Sequence, residues 1–240
     1  ATQESTFAAD QIPNSGNGKR NSISFWIYIY DNNKYNGIRK HVLHRGDEAG
    51  TDITGGASPY IYLDQNTNKL YVTFAPSDAS KLYVNGTTTY DFSNASDSEK
   101  MAYLNAVRGI TIEYVPLQRW VHIAVVCNAN SYKNYMYAYV DGDLVNTISS
   151  NEIDKHIPSS SIPKDFRNLD LNISGYLNVG GNNNDADGPG FSGLITKVTT
   201  YNYELNQKDI YNNYYKGPID GLLYSLGLAK YGLRSPIYKL

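Results

Sequence analysis

Residues 22–30 read Ser-Ile-Ser-Phe-Trp-Ile-Tyr-Ile-Tyr, and this run constrains the fold more than any other feature of the chain. Successive side chains of extended backbone point to opposite faces. Ile23, Phe25, Ile27 and Ile29 therefore share one face, and Trp26, Tyr28 and Tyr30 share the other. A strand with one core face and one aromatic face fits this period; an amphipathic helix does not.

Similar short runs recur at 40–44, 59–63, 70–74, 81–84, 110–115, 120–127, 135–140, 144–148, 169–179 and 191–201. The turn-like stretch 64–68 joins two of them as a hairpin, Asn85-Gly86 marks a second turn, and Asp141-Gly142-Asp143 marks a third. Helical signals are few. Ser96 and Glu99 form a capping box ahead of Met101, Leu104 and Val107, which predicts a short helix inserted in a loop. Asn206 caps a second helix running to Tyr214, stopped by Gly217-Pro218. Residues 149–168 are polar, contain Pro158 and Pro163, and read as a long surface loop. The expected class is all-β: two packed antiparallel sheets with one or two short helices.

Charge excludes several partners. With 21 basic and 23 acidic residues there is no basic stripe, so nucleic acid is not expected. Apolar runs are strand-length, too short to span a bilayer as a helix. The first residues lack the basic and apolar regions of a signal peptide, and fit equally what remains after one is removed. Cys127 is the single cysteine, which excludes an internal disulfide and a cysteine-only zinc site.

Four consecutive signals carry a family resemblance. They are Trp120-Val121-His122-Ile123-Ala124, Tyr139-Val140-Asp141-Gly142, Leu177-Asn178-Val179-Gly180-Gly181, and Phe191-Ser192-Gly193-Leu194-Ile195 followed by Val198, Tyr201-Asn202 and Leu205. In this order and spacing the chain resembles the laminin-G-like, concanavalin-A-like lectin and glucanase jelly rolls over roughly residues 20–216. The resemblance implies a jelly-roll β-sandwich over 1–216, with an apolar extension over 217–240. Trp120 and Phe191 are expected to be core anchors.

Glucanases of this fold carry two glutamates flanking an aspartate, because retaining hydrolysis needs two carboxyls about 5–5.5 Å apart. The nearest match here is Glu152-Ile153-Asp154-Lys155-His156, where a histidine replaces the second glutamate. We expect no catalysis from it. His41 and His44, three apart in a strand, are expected on opposite faces, and no histidine has metal-ligand spacing.

The binding candidates begin with tyrosine, present 23 times against 6 Phe and 2 Trp. Tyr135, Tyr137 and Tyr139 alternate, as do Trp26, Tyr28 and Tyr30, and Tyr60 and Tyr62. Each set has two readings, core packing or a platform on which sugar rings stack. The carbohydrate candidates are Tyr135, Tyr137, Tyr139, Tyr28 and Tyr30, with Asn182 and Asn183 for hydroxyl groups. The resemblance also implies calcium at loop acids, for which Asp47, Asp185 and Asp187 are the candidates. The acidic pair usual after the family's Gly-x-Ile is Thr196-Lys197 here. Sequons stand at Asn85, Asn94 and Asn172.

The resulting expectation is a non-catalytic carbohydrate-binding or adhesion module, extracellular or on a particle surface such as a virion. Its partner would be a glycan or a surface protein. One alternative is a structural or minor capsid protein whose residues 218–240 contact neighbours. The other is a polysaccharide-degrading enzyme with an unrecognised site.

Overall fold

A computed structural model describes residues 5–12, 20–46, 57–75, 82–84, 88–90, 94–129, 135–149, 175–181 and 189–219. The strands of the two main layers pair antiparallel throughout. One sheet has six strands in the order β1 (Ser5–Phe7), β12 (Tyr176–Val179), β3 (Lys40–Gly46), β4 (Tyr60–Leu63), β5 (Leu70–Thr73), β8 (Gly109–Ile112). The other has five in the order β11 (Asp143–Ser149), β10 (Tyr135–Val140), β9 (Trp120–Asn128), β2 (Arg20–Asp31), β13 (Ser192–Tyr201). A separate hairpin joins β6 (Leu82–Val84) to β7 (Thr88–Tyr90). The all-β jelly-roll expectation holds.

The period-two reading of β2 is what the sandwich uses. Ile23, Phe25, Ile27 and Ile29 face inward with Val121, Ile123, Val125 and Cys127 of β9. Opposite them lie Leu43, Ile61, Leu63, Leu70, Val72, Ile110 and Ile112 of the six-stranded sheet. Phe25, Ile27, Leu43 and Ile61 have no exposed surface. Burying each such side chain stabilises the fold by about 1.5–3 kcal/mol. Phe191 joins this core, but Trp120 does not. It stands on the outer face of β9, half-buried, because it falls in the opposite register from Val121.

The Asp141-Gly142 turn links β10 to β11 with two residues at positive φ, 53° and 89°. This is the arrangement that suits a two-residue hairpin between right-twisted strands. Asp141 also ties the turn down: its carboxylate accepts from the His122 backbone N–H (2.9 Å) and pairs with Arg119 (2.6 Å).

Each sheet carries a helix on its outer face. Helix α1 (Asp97–Val107) opens on the Ser96/Glu99 capping box and buries Met101, Tyr103, Leu104 and Val107 beside Tyr60 and Tyr62. Helix α2 (Gln207–Tyr215) is capped by Asn206, whose side-chain oxygen accepts from Asp209 N–H at 3.0 Å. It packs Ile210, with Leu205 ahead of it, on Ala124, Val126 and Tyr139. Ser22 fixes the approach to α2, since its hydroxyl donates to Tyr203 O and accepts from Leu205 N–H, both at 2.9 Å.

One strand departs from simple alternation. His41 pairs with Tyr62 and Leu43 with Ile61, so Val42 is an extra residue, a β-bulge. The bulge reverses the parity along β3, and His41 and His44 come to the same face, with rings 5.0 Å apart. The expectation of opposite faces fails for this reason.

Candidate functional site

The outer face of the five-stranded sheet carries a group of partly exposed aromatic rings. Tyr28 stands directly opposite Trp120 in the β2–β9 register, and their rings meet edge-on at 5.6 Å and 72°. Tyr30 is tilted by 58° against Tyr28 at 5.0 Å. Tyr30 is 49% exposed, and Leu194, opposite Tyr28 on β13, is 46% exposed. Rings set at angles to one another keep faces open to solvent. An open aromatic face adjoining a phenol hydroxyl and an indole N–H matches a ligand that is apolar on one side and polar at its edge.

Two residues further along the same strands the face is closed. Trp26 is 2% exposed and stacks on Tyr214 of α2 at 5.7 Å and 19°. Tyr139 is 7% exposed beneath Leu205 and Ile210. Its ring points out of the sandwich, as alternation requires, but α2 covers it, which favours the packing reading of Tyr139 over the sugar platform. Tyr135 and Tyr137 are half-buried and stack on each other at 4.6 Å and 20°. Each occludes one face of the other, which leaves them a poorer platform than Tyr28, Tyr30 and Trp120. Trp120 is the member of this group that sequence reasoning misplaced. Its signal was the register, since it shares parity with His122 and Ala124 rather than with Val121.

Beside α2 lies a smaller polar cleft of about 330 Å³ lined by Ser24, His122, Lys197, Thr199, Tyr201 and Lys216, among others. Ser24 Oγ is 2.8 Å from His122 Nε2, although 98 residues separate them. Burial pushes the His122 pKa down to about 4, so the ring is neutral near pH 7. Among the described residues the buried His122 Nδ1 has no hydrogen-bond partner. A serine–histidine nucleophile normally has its second ring nitrogen oriented by a third group. Ser24 and His122 have the first contact and not the second.

On the opposite sheet the buried histidines form a chain. His41 Nδ1 hydrogen-bonds the Gly180 carbonyl oxygen. A carbonyl only accepts, so His41 carries its proton on Nδ1 and offers Nε2 as acceptor to His44 Nδ1–H at 2.9 Å. His44 Nε2 in turn accepts from the Asn178 amide at 2.9 Å. Burial, reinforced by His44, pushes the His41 pKa down to about 3. The hydrogen bonds join these rings into a neutral network, and among the described residues no group of three His, Cys, Asp or Glu is placed to hold a metal.

Asn182, Asn183, Asp47, Asp185 and Asp187 lie outside the described residues, as do Glu152, Asp154, His156 and residues 220–240. The sequon at Asn94 is exposed, while Asn85 and Asn172 fall outside. No helix among the described residues is long and apolar enough to cross a membrane.

No curated protein matches the sequence. Among solved structures, the chain is similar to the botulinum neurotoxin serotype D binding domain, with 13% identity and a TM-score of 0.48 over 85% of this chain and 37% of that one. It is similar to the serotype G binding domain at 12% identity and a TM-score of 0.46, over 82% of this chain and 36% of that one. It thus spans little more than a third of the length of these toxin structures. A third similar structure is "Ruminococcus gnavus IT-sialidase CBM40 bound to alpha2,3 sialyllactose", at 11% identity and a TM-score of 0.45, over 82% of this chain and 83% of that one. The family model of the concanavalin A-like lectin/glucanases superfamily matches residues 81–211, from β6 through β13 into α2. That is more than half of the sequence, and with the two-sheet sandwich it makes this chain a member of the concanavalin A-like lectin/glucanase superfamily.

Proposed function

We propose that the protein is a non-catalytic carbohydrate-binding module displayed on a cell or particle surface. The open aromatic group of Tyr28, Tyr30 and Trp120 carries this reading. It lies on an outer sheet face at the edge of the area covered by α2, and its residues project from paired strands that hold them in fixed register. Family membership supports the same class of ligand.

A broad glycan array tests the reading, run with calcium and with a chelator because Asp47, Asp185 and Asp187 are the acids proposed for a calcium ion. Retention of at least one glycan class, weakened in a Trp120→Ala variant, is the expected result. A blank array in both conditions would sink the reading. Release of reducing sugar from polysaccharide substrates would replace it with a catalytic one.

A further inference from the structure

A second cleft, of about 450 Å³, lies on the outer face of the six-stranded sheet against α1. Its walls include Arg39, Gln65, Tyr62 and Tyr71 from the sheet side and Ser98 and Asn105 from the helix. Tyr62 and Tyr71 stack on each other at 5.1 Å and 17°, and the Tyr62 hydroxyl donates to Asn105 Oδ1 at 2.8 Å. The Arg39 guanidinium sits over the Tyr62 ring, 5.6 Å from its centroid.

Arg39 is the anomaly. Among the described residues its buried Nη1 has no hydrogen-bond partner. No Asp or Glu among the described residues lies within 4.0 Å of its guanidinium. A buried charged donor left unpaired is costly, and a ring face meets only part of what a guanidinium offers. Its planar fork of N–H donors suits a carboxylate or phosphate.

The surrounding charges choose between those two. Asp64 lines the cleft, and its Oδ1 already accepts from Asn66 N–H, Thr67 N–H and the Thr67 hydroxyl. The Lys40 ammonium donates to the backbone oxygens of Asp64 and Gln65 at 3.1 and 3.0 Å. Arg39 and Asp64 are the charged side chains of the lining, and the buried Lys40 behind them feels both Asp64 and Asp31, so the cleft has no surplus of positive charge. That balance matches a singly charged carboxylate better than a dianionic phosphate. The amides of Gln65 and Asn105 and the Ser98 hydroxyl are suited to hydroxyl groups; Tyr62, 5% exposed and stacked by both Tyr60 and Tyr71, is closed to a ligand, so the half-buried Tyr71 is the ring left for the apolar side of a sugar.

We propose that this cleft binds an acidic monosaccharide unit, with Arg39 gripping its carboxylate. The sugar part of the assignment rests on the carbohydrate-binding reading above; the carboxylate part rests on Arg39 and the charges around it. The test is calorimetric titration of the full chain with galacturonate, galactose, acetate and inorganic phosphate at low salt. Galacturonate is expected to bind at least tenfold more tightly than each of the other three. Arg39→Gln should reduce galacturonate binding by tenfold or more, and Arg39→Lys, which keeps the charge and loses the fork, by several-fold. Thermal melts confirm that each variant is folded. If Arg39→Gln does not fold, Arg39→Lys and the wild-type selectivity decide the matter. Equal binding of galactose and galacturonate, or an unchanged affinity in the Arg39 variants, would overturn the proposal and leave the Tyr28–Tyr30–Trp120 site untouched. Acetate binding as tightly as galacturonate would overturn the sugar assignment. Phosphate binding more tightly would overturn the charge argument. A blank titration overturns the inference; only a blank array in addition removes the broader function.

Discussion

His44 donates its Nδ1–H to His41 Nε2 across 2.9 Å, although regular strand backbone would turn two residues three apart to opposite faces. The extra residue Val42 makes the contact possible. The bond fixes both tautomers, because the far end of the chain is a carbonyl that only accepts.

That contact predicts how stability depends on pH. Burial lowers the His41 pKa to about 3 and the His122 pKa to about 4, both below their ordinary value of 6.5. The unfolded chain therefore binds more protons between those limits. The stability these neutral rings contribute is complete above about pH 6.5 and is lost progressively as pH falls toward 4 and then 3. Thermal melts should show Tm falling by on the order of 10 °C between pH 7 and pH 4. His41→Asn should be less stable at pH 7 and have a shallower slope. A slope equal to wild type would show that His41 is not the titrating group.

The aromatic face predicts a separable set of binding losses. Tyr28→Ala and Trp120→Ala should each weaken retention of the bound glycan about tenfold, roughly 1.4 kcal/mol. Tyr139→Phe should leave binding unchanged, since the ring is sealed under Ile210 and Leu205. Surface plasmon resonance on the array hit separates these outcomes. Equal losses in all three variants would argue for a general fold effect.

Gly193 couples the β13 bulge to the same face. A Cβ there would run into the Tyr28 carbonyl oxygen and lie 2.6 Å from the Phe191 ring. The backbone contact has no flexible end to move aside. Gly193→Ala should therefore cost about 3 kcal/mol or more, read as a lower urea midpoint. It should also weaken glycan binding by displacing Tyr28. A midpoint within experimental error of wild type would contradict the packing described for this edge.

Cys127 should be inert in the native protein. It is 1% exposed, and burial pushes its thiol pKa up to about 12. Only the thiolate reacts readily. A disulfide reagent at pH 8 should label it at the rate of unfolding and completely in denaturant. Fast labelling of the folded chain would mean that the core around Met136 and Ala138 opens locally.

Local signals in the sequence determined a good deal of this protein. Period-two alternation assigned Ile23, Phe25, Ile27 and Ile29 to one layer. Capping residues placed α1 and α2, and Asp141-Gly142 set the hairpin, because these features depend on backbone geometry within a few residues. The ordered motifs from Trp120 to Leu205 fixed the family. Alternation also said which aromatic rings leave the sandwich, but not what covers them. Only the tertiary structure lays α2 over Trp26 and Tyr139 while leaving Tyr28, Tyr30 and Trp120 open. Only the pairing of β3 with β4 sets Arg39 beside Tyr62, with no carboxylate within 4.0 Å among the described residues. The bulge at Val42 likewise depends on pairing with β4 rather than on β3 alone. Register, bulges and the landing of a helix are settled by contacts between residues far apart in the chain, and no local pattern encodes the partner.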